Sequence, residues 1–151
     1  MESYNAITAT ATQGSVSKVL YTGKVTITGG REGAAVSEDG HLNISLSTPG
    51  GPGKGTNPEQ LFAAGWSACF IGAMRLNAPK LGVVVPGNTH VEAEVDLATG
   101  DAGFRLQARL QVHLPGLTVE QAKELVEAAH QTCPYSKATR GNINVRIDVA
   151  V

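Results

Sequence analysis

The sequence predicts an α+β fold with a largely antiparallel sheet. Three observations carry this reading. Alternating apolar and polar runs occupy about 15–47, 89–114 and 142–151, the pattern of half-buried strands. Helical spacing with capping residues marks 57–77 and 118–133. The order is strands, helix, two strands, helix, strand, without internal repeats. At 151 residues the chain has a common size for one domain, so a single core is expected over 15–151. Residues 1–14, rich in Thr, Ala, Ser and Gly without period, read as a loose tail.

From Ser15 the chain alternates through Val25-Thr26-Ile27-Thr28, and Gly29-Gly30-Arg31-Glu32-Gly33 breaks the pattern. A short strand, Ala34–Ser37, meets Glu38-Asp39-Gly40, and alternation resumes over His41–Ser47, a strong hairpin signal. Residues 48–56 (TPGGPGKGT) form a loop that imitates a phosphate cradle. Lys54 is followed by Gly55 where that motif needs Ser or Thr, and the prolines remove amide donors. Nucleotide binding is excluded there.

Asn57 is a good N-cap, Pro58 suits the first helical position, and Gln60 stands where a capping box closes. The helix Pro58–Asn77 is apolar on nearly every side from Leu61 to Met74, which marks it as buried. That stretch is shorter than the roughly 20 residues a membrane span needs. Two strands follow, Thr89–Leu97 and Phe104–Leu114. In the second, Phe104, Leu106, Ala108, Leu110 and Val112 share one face, opposite Arg105, Gln107, Arg109, Gln111 and His113. The sheet therefore has a wet side. Thr118 caps a second helix with Gln121 as its box partner. Its stripe of Val119, Ala122, Leu125, Val126 and Ala129 reaches Cys133, where Pro134 stops it; the last strand is Asn142–Val151.

Twelve basic against 13 acidic residues leave a net charge of −1. No long-range field draws this chain to nucleic acid or to a membrane surface. Charged residues are only 17%, against about 25% in an average globular protein, so part of the apolar surface is expected to be covered by a second copy. Two cysteines are too few to staple a secreted domain, and the N-terminus lacks a basic region followed by an apolar block. A cytoplasmic protein is expected.

Cys69 lies mid-helix on the row Glu59, Phe62, Trp66, Cys69, Ala73, and Cys133 ends the inward stripe of the other helix. Each reads by itself as a small buried hydrophobe. Together, pointing inward from two helices, they read as a redox dithiol. Gly65-Trp66-Ser67-Ala68-Cys69 imitates a serine nucleophile elbow, but Cys69 replaces the second glycine and the serine is mid-helix, which rules the elbow out. His130 and Cys133 lack further ligands, and His41, His90 and His113 fall in strands or at their ends. No metal site is expected, and His130 reads as a solvated histidine. A reactive thiolate needs a nearby cation. Arg31, in a glycine turn without a scaffold role, and Arg140 are the candidates.

Three segments then carry a resemblance: Gly29–Gly33, Asn57–Phe70 (NPEQLFAAGWSACF) and Cys133–Asn142 (CPYSKATRGN). In this order they resemble the organic hydroperoxide resistance proteins of the OsmC/Ohr superfamily, over roughly Val16–Val151. The resemblance implies a thiol peroxidase for alkyl and fatty-acid hydroperoxides. Cys69 then matches the peroxidatic cysteine, Cys133 the resolving cysteine, Arg31 the thiolate-stabilising arginine and Glu59 the carboxylate that holds it. It implies an intertwined homodimer with sheets wrapped around central helices. The reductant would be a dihydrolipoyl group on a lipoylated protein, and sulfur would do the redox work without a bound cofactor. Phe62, Trp66 and Phe70, near Cys69, are expected to line an apolar path for bulky substrates.

Two other readings remain open: the osmotically inducible branch, with a broader peroxide range, and a non-enzymatic apolar-ligand protein with both cysteines in the core. One geometric expectation follows. Glu59 and Cys69 stand ten residues apart on one helix, about 15 Å along its axis. Arg31 can hardly touch Cys69 while gripped by Glu59 of the same straight helix, so Glu59 of one subunit is expected to approach the Arg31 and Cys69 of a site completed by the other.

Overall fold

The computed structural model describes residues 1 and 3–151. Among these, two three-stranded sheets accompany the helices, as the α+β reading requires. The first sheet is antiparallel throughout: β1 (Val25–Thr28), β2 (Ala34–Ser37) and β3 (Asn43–Ser45), in the order β1-β2-β3. A 3₁₀ turn, Gly30–Glu32, joins β1 to β2. Gly29 and Gly30 take φ values of 70° and 59°, and a Cβ on Gly33 would stand 1.6 Å from the Thr28 carbonyl oxygen. Gly33 leaves no room for a side chain, the left-handed backbone of Gly29 and Gly30 favours glycine, and the turn holds Arg31 at its centre. The β2–β3 hairpin closes on Asp39, which accepts from the Ser37 hydroxyl at 2.5 Å and the His41 amide at 3.0 Å.

The strand expected from Ser15 begins only at Val25. The Lys24 carbonyl accepts from the Glu38 amide at 3.0 Å, but among the described residues no strand pairs with 15–23, and Val16, Val19, Leu20 and Tyr21 are exposed. The alternation is present, but no strand stands beside it among the described residues. The described residues of the 1–14 segment are exposed and lie outside helices and strands; Glu2 falls outside the described residues.

The second sheet holds β4 (His90–Gly100), β5 (Gly103–His113) and β6 (Asn144–Ala150). β4 and β5 pair antiparallel along their full length, from His90 opposite His113 to Gly100 opposite Gly103. β6 runs parallel to β5, which corrects the largely antiparallel expectation at this edge. The cause is the connection: helices between the strands carry the chain back to the end where β5 began.

Helix α1 spans Pro58–Asn77 as expected, with Asn57 Oδ1 accepting from the Gln60 amide at 2.9 Å. The Gln60 side chain accepts from the Thr56 hydroxyl instead, so the expected box is half formed. Helix α2, Val119–Thr132, has both halves of its box, between Thr118 and Gln121. Pro134 does more than stop α2. It takes the first position of a further helix, α3 (Pro134–Thr139), so Cys133 is at once the C-cap of α2 and the N-cap of α3.

α1 and α2 cover the inner face of the second sheet, burying Trp66, Phe70, Met74, Leu110, Val112, Leu125 and Cys133. Among the described residues no helix is long and apolar enough to cross a membrane. The outer face is polar. Arg109 on β5 donates to Glu94 at 2.6 Å and to both oxygens of Asp96 at 2.7 and 3.0 Å, and Gln107 donates to Asp96 at 2.7 Å. These bonds, those from Arg109 first, lower the Asp96 carboxyl from 3.8 to about 2. A carboxylate with a depressed folded-state pKa contributes stability above its unfolded value and loses it as pH falls through the folded one. Asp96→Asn should therefore be less stable than the parent above pH ~4, with the gap closing by pH ~2. Urea midpoints across that window measure it; a gap that persists undiminished at pH ~2 contradicts the clamp.

Candidate active site

α1 carries Cys69 past its middle, and the α2–α3 corner carries Cys133. Their sulfurs stand 3.4 Å apart, and both are free thiols. Cys133 is fully buried and Cys69 partly exposed. The two inward-facing cysteines of the sequence therefore do meet.

Several contacts set that approach. Asn77 at the end of α1 donates to the Ala73 carbonyl at 2.8 Å and to the Thr132 hydroxyl at 2.9 Å, joining α1 to the last residue of α2. The Trp66 indole N–H donates to the buried Ser136 hydroxyl at 3.2 Å, joining α1 to α3. Gly65 makes room for Tyr135: a Cβ there would meet the phenol oxygen at 2.8 Å. The Phe62 ring meets Trp66 edge-on at 5.7 Å and Tyr135 at 6.0 Å. Tyr135 escaped the sequence reading, although it directly follows Cys133-Pro134.

Burial pushes the Cys69 thiol up from its ordinary value, and the neighbouring Cys133 raises it further; the Tyr135 backbone N–H acts in the opposite direction. Arg31 is not among the groups that shift it. Arg31 instead forms a two-pronged pair with Glu59 of its own chain, Nη1 to Oε2 at 3.0 Å and Nη2 to Oε1 at 2.7 Å. The pair holds the Glu59 carboxyl below the usual range. This corrects the expectation that Glu59 of one subunit grips the arginine of the other. The physical reason lies in the loop: Leu46 bridges Thr56 just before α1, and Thr48 donates to Glu32 at 3.0 Å, which seats the glycine turn on the start of the helix. Glu59 lies in the first turn of α1, and Cys69 about 15 Å further along it.

Arg140, the other candidate cation, is bonded to the His130 carbonyl and stands 3.4 Å from its Nε2. His130 is not the solvated residue expected. Its Nδ1 is buried without a partner, and burial, then Arg140, lowers its pKa. Trp66 and Phe70 are fully buried in the core, so neither lines an open path; Phe62 alone of the three expected aromatics is partly accessible. The cause is the helix face: residues 66, 70 and 74 turn onto the sheet. Among the described residues no set of three His, Cys, Asp or Glu ligand atoms converges on the sulfurs. The chemistry available here is that of two adjacent thiols.

The Trp66–Ser136 bond is open to test. Trp66→Phe keeps an aromatic ring but leaves the buried Ser136 hydroxyl unpaired, a loss of about 1–3 kcal/mol in urea unfolding. Trp66→Phe/Ser136→Ala should recover part of it. A double variant no more stable than the single one would show that the bond does not hold the corner.

Comparison with known proteins places the chain. The family described as OsmC-like protein matches residues 51–148. The organic hydroperoxide resistance protein of Xanthomonas axonopodis pv. citri is 49% identical over 137 residues, 88% of this chain and 96% of its own length. OhrB, an organic hydroperoxide resistance protein of Bacillus subtilis, is 44% identical over 86% of this chain and 98% of its own. The crystal structure of that OhrB matches with a TM-score of 0.82, covering 87% of this chain and 100% of the other. An organic hydroperoxide resistance protein from Elizabethkingia anophelis matches at 0.77 with 45% identity, covering 88% and 98%. With its paired cysteines at the helix corner and this likeness over most of its length, the chain belongs to the OsmC-like protein family.

Proposed function

We propose that this chain is a cysteine-based peroxidase that reduces organic hydroperoxides to alcohols. The observation that carries the reading is the 3.4 Å approach of two free sulfurs, one partly exposed and one buried. The relatives named for organic hydroperoxide resistance, at 44–49% identity over most of the chain, support the substrate class and favour it over the osmotically inducible branch.

The chemistry follows from sulfur. The Cys69 thiolate attacks the distal peroxide oxygen, the O–O bond breaks, and the leaving alkoxide takes a proton to become the alcohol. Cys69 is left as a sulfenic acid. Cys133, already 3.4 Å away, attacks that sulfur; water leaves and a disulfide forms. A dithiol of the dihydrolipoyl kind, on a lipoylated protein of the cytoplasm, restores both thiols by exchange. Phe62 and the Tyr135 ring beside it give the approach an apolar wall suited to alkyl groups.

A lone chain leaves this site unfinished. Among the described residues no cation acts on Cys69, and burial pushes its thiol up. Arg31 is fixed to Glu59 at the far end of the same helix. The surface is unfinished too: Leu20 is 87% exposed, Ile27 52% and Leu76 60%, and the small residues Ala64, Ala68 and Gly72 form an exposed row along α1. A homodimer resolves both. Two copies of α1 crossing at their small-residue rows would bring the Arg31–Glu59 pair of one subunit to Cys69 of the other, lowering that thiol into the thiolate range.

Two experiments test the reading. With dihydrolipoamide as reductant, Cys69→Ser should abolish peroxide reduction, and Cys133→Ser should react once and then over-oxidise. Cumene hydroperoxide should exceed hydrogen peroxide in second-order rate constant; equal constants would refute the apolar approach, and normal turnover by Cys69→Ser would refute the mechanism. For the composite site, Cys69→Ser subunits are mixed with Arg31→Ala subunits. Across the dimer, each mixed pair holds one doubly lesioned site and one intact site, so activity returns to about half per dimer. Mixed dimers that form and stay inactive place Arg31 and Cys69 of one chain in one site.

A further inference from the structure

On the outer face of the second sheet, away from the thiols, three side chains converge that the proposed peroxidase chemistry does not use. His90 opens β4 and His113 closes β5; they stand directly opposite in the ladder, with rings stacked at 4.2 Å and 7°. Glu92, two residues along β4 and so on the same face, meets His113 Nε2 at 3.0 Å. One ligand atom from each of the three lies within 4.8 Å of the others. We propose that His90, Glu92 and His113 form a three-ligand site for one divalent transition-metal ion of the imidazole-preferring kind, the class of Zn²⁺, Ni²⁺ and Cu²⁺.

Four features of the cluster support this. The His90 Nδ1 lies 3.1 Å from the Asn88 carbonyl, which can only accept, so Nδ1 carries the proton and Nε2 keeps its lone pair. This is the backbone bond that commonly orients a metal-binding imidazole. The 3.0 Å separation of Glu92 Oε2 and His113 Nε2 matches the edge between two neighbouring ligands at about 2.1 Å from a metal in octahedral geometry. The metal would take the place of the proton now shared across that bond. The other carboxylates of this face are already claimed by guanidinium groups, Glu94 and Asp96 by Arg109 and Asp148 by Arg146, whereas the bond drawn to Glu92 comes from His113. Finally, the site is reachable: Glu92 is 71% exposed and His90 is exposed, so the rings can turn out of the parallel stack, as shared ligation requires, without loss of core packing. Three protein ligands would leave the remaining positions to water or an exchangeable ligand.

The sheet separates this cluster from the sulfurs, since Ala108, Leu110 and Val112 of β5 face the core on the other side. The test uses the untagged, reduced protein titrated with Ni²⁺ by calorimetry. One Ni²⁺ should bind per chain, without the near-ultraviolet charge-transfer band that thiolate ligation gives. His90→Gln, Glu92→Gln and His113→Gln should each weaken binding by about tenfold or more, with the thiol titre unchanged. No binding, an affinity that these substitutions leave intact, or a thiolate band would overturn the proposal. Loss in the two histidine variants alone would overturn the part given to Glu92.

Discussion

The approach of Cys69 to Cys133 depends on how α1 lies against the corner between α2 and α3. That corner exists because Pro134 ends one helix and begins the next, leaving Cys133 between them in extended backbone. The corner is then tied to α1 at both ends, by Asn77 to Thr132 and by Trp66 to Ser136. Both ties are buried or partly buried polar contacts, whose loss costs more than their formation contributes. The sulfurs are thus held near bonding distance by groups that take no part in the chemistry. In the proposed chemistry, a second thiol already in place would shorten the life of the sulfenic acid, the species most exposed to irreversible oxidation.

The second constraint is electrostatic. A half-buried thiol is a poor nucleophile until a cation stabilises its thiolate. This chain contains a suitable cation, but spends a glycine-only turn and a two-pronged carboxylate pair on fixing it some three helical turns away. Such rigidity makes sense if Arg31 serves a surface other than that of its own Cys69. Exposed apolar residues of 15–24, β1 and α1 accompany it, a surface that suits the dimer proposed above.

Much of this was legible in the residues. The caps at Asn57 and Thr118, the glycine break at 29–33 and the two-residue period of β4 and β5 are local signals, and each element they imply is present. The meeting of Cys69 and Cys133 was readable because each sits on an inward helical stripe. What was not legible depends on pairing in space. β6 carries the same alternation in either direction, and its parallel course is set by the two helices before it. The strand expected from Ser15 has the right pattern but, among the described residues, no strand to pair with before Val25. Trp66 and Phe70 lie on the Cys69 side of α1 in sequence, yet the sheet claims them for the core. His113 is separated from His90 and Glu92 by the whole β4–β5 hairpin, and only the register brings it to them.

The central claim is that Cys69 and Cys133 form one redox unit. It is tested most directly by intact-mass and non-reducing peptide analysis of the protein after one equivalent of cumene hydroperoxide. The protein should lose two hydrogens, retain no free thiols, and yield a single cross-linked peptide pair joining Cys69 to Cys133 within one chain. Two thiols that remain free, or a cross-link between Cys69 residues of different chains, would contradict it.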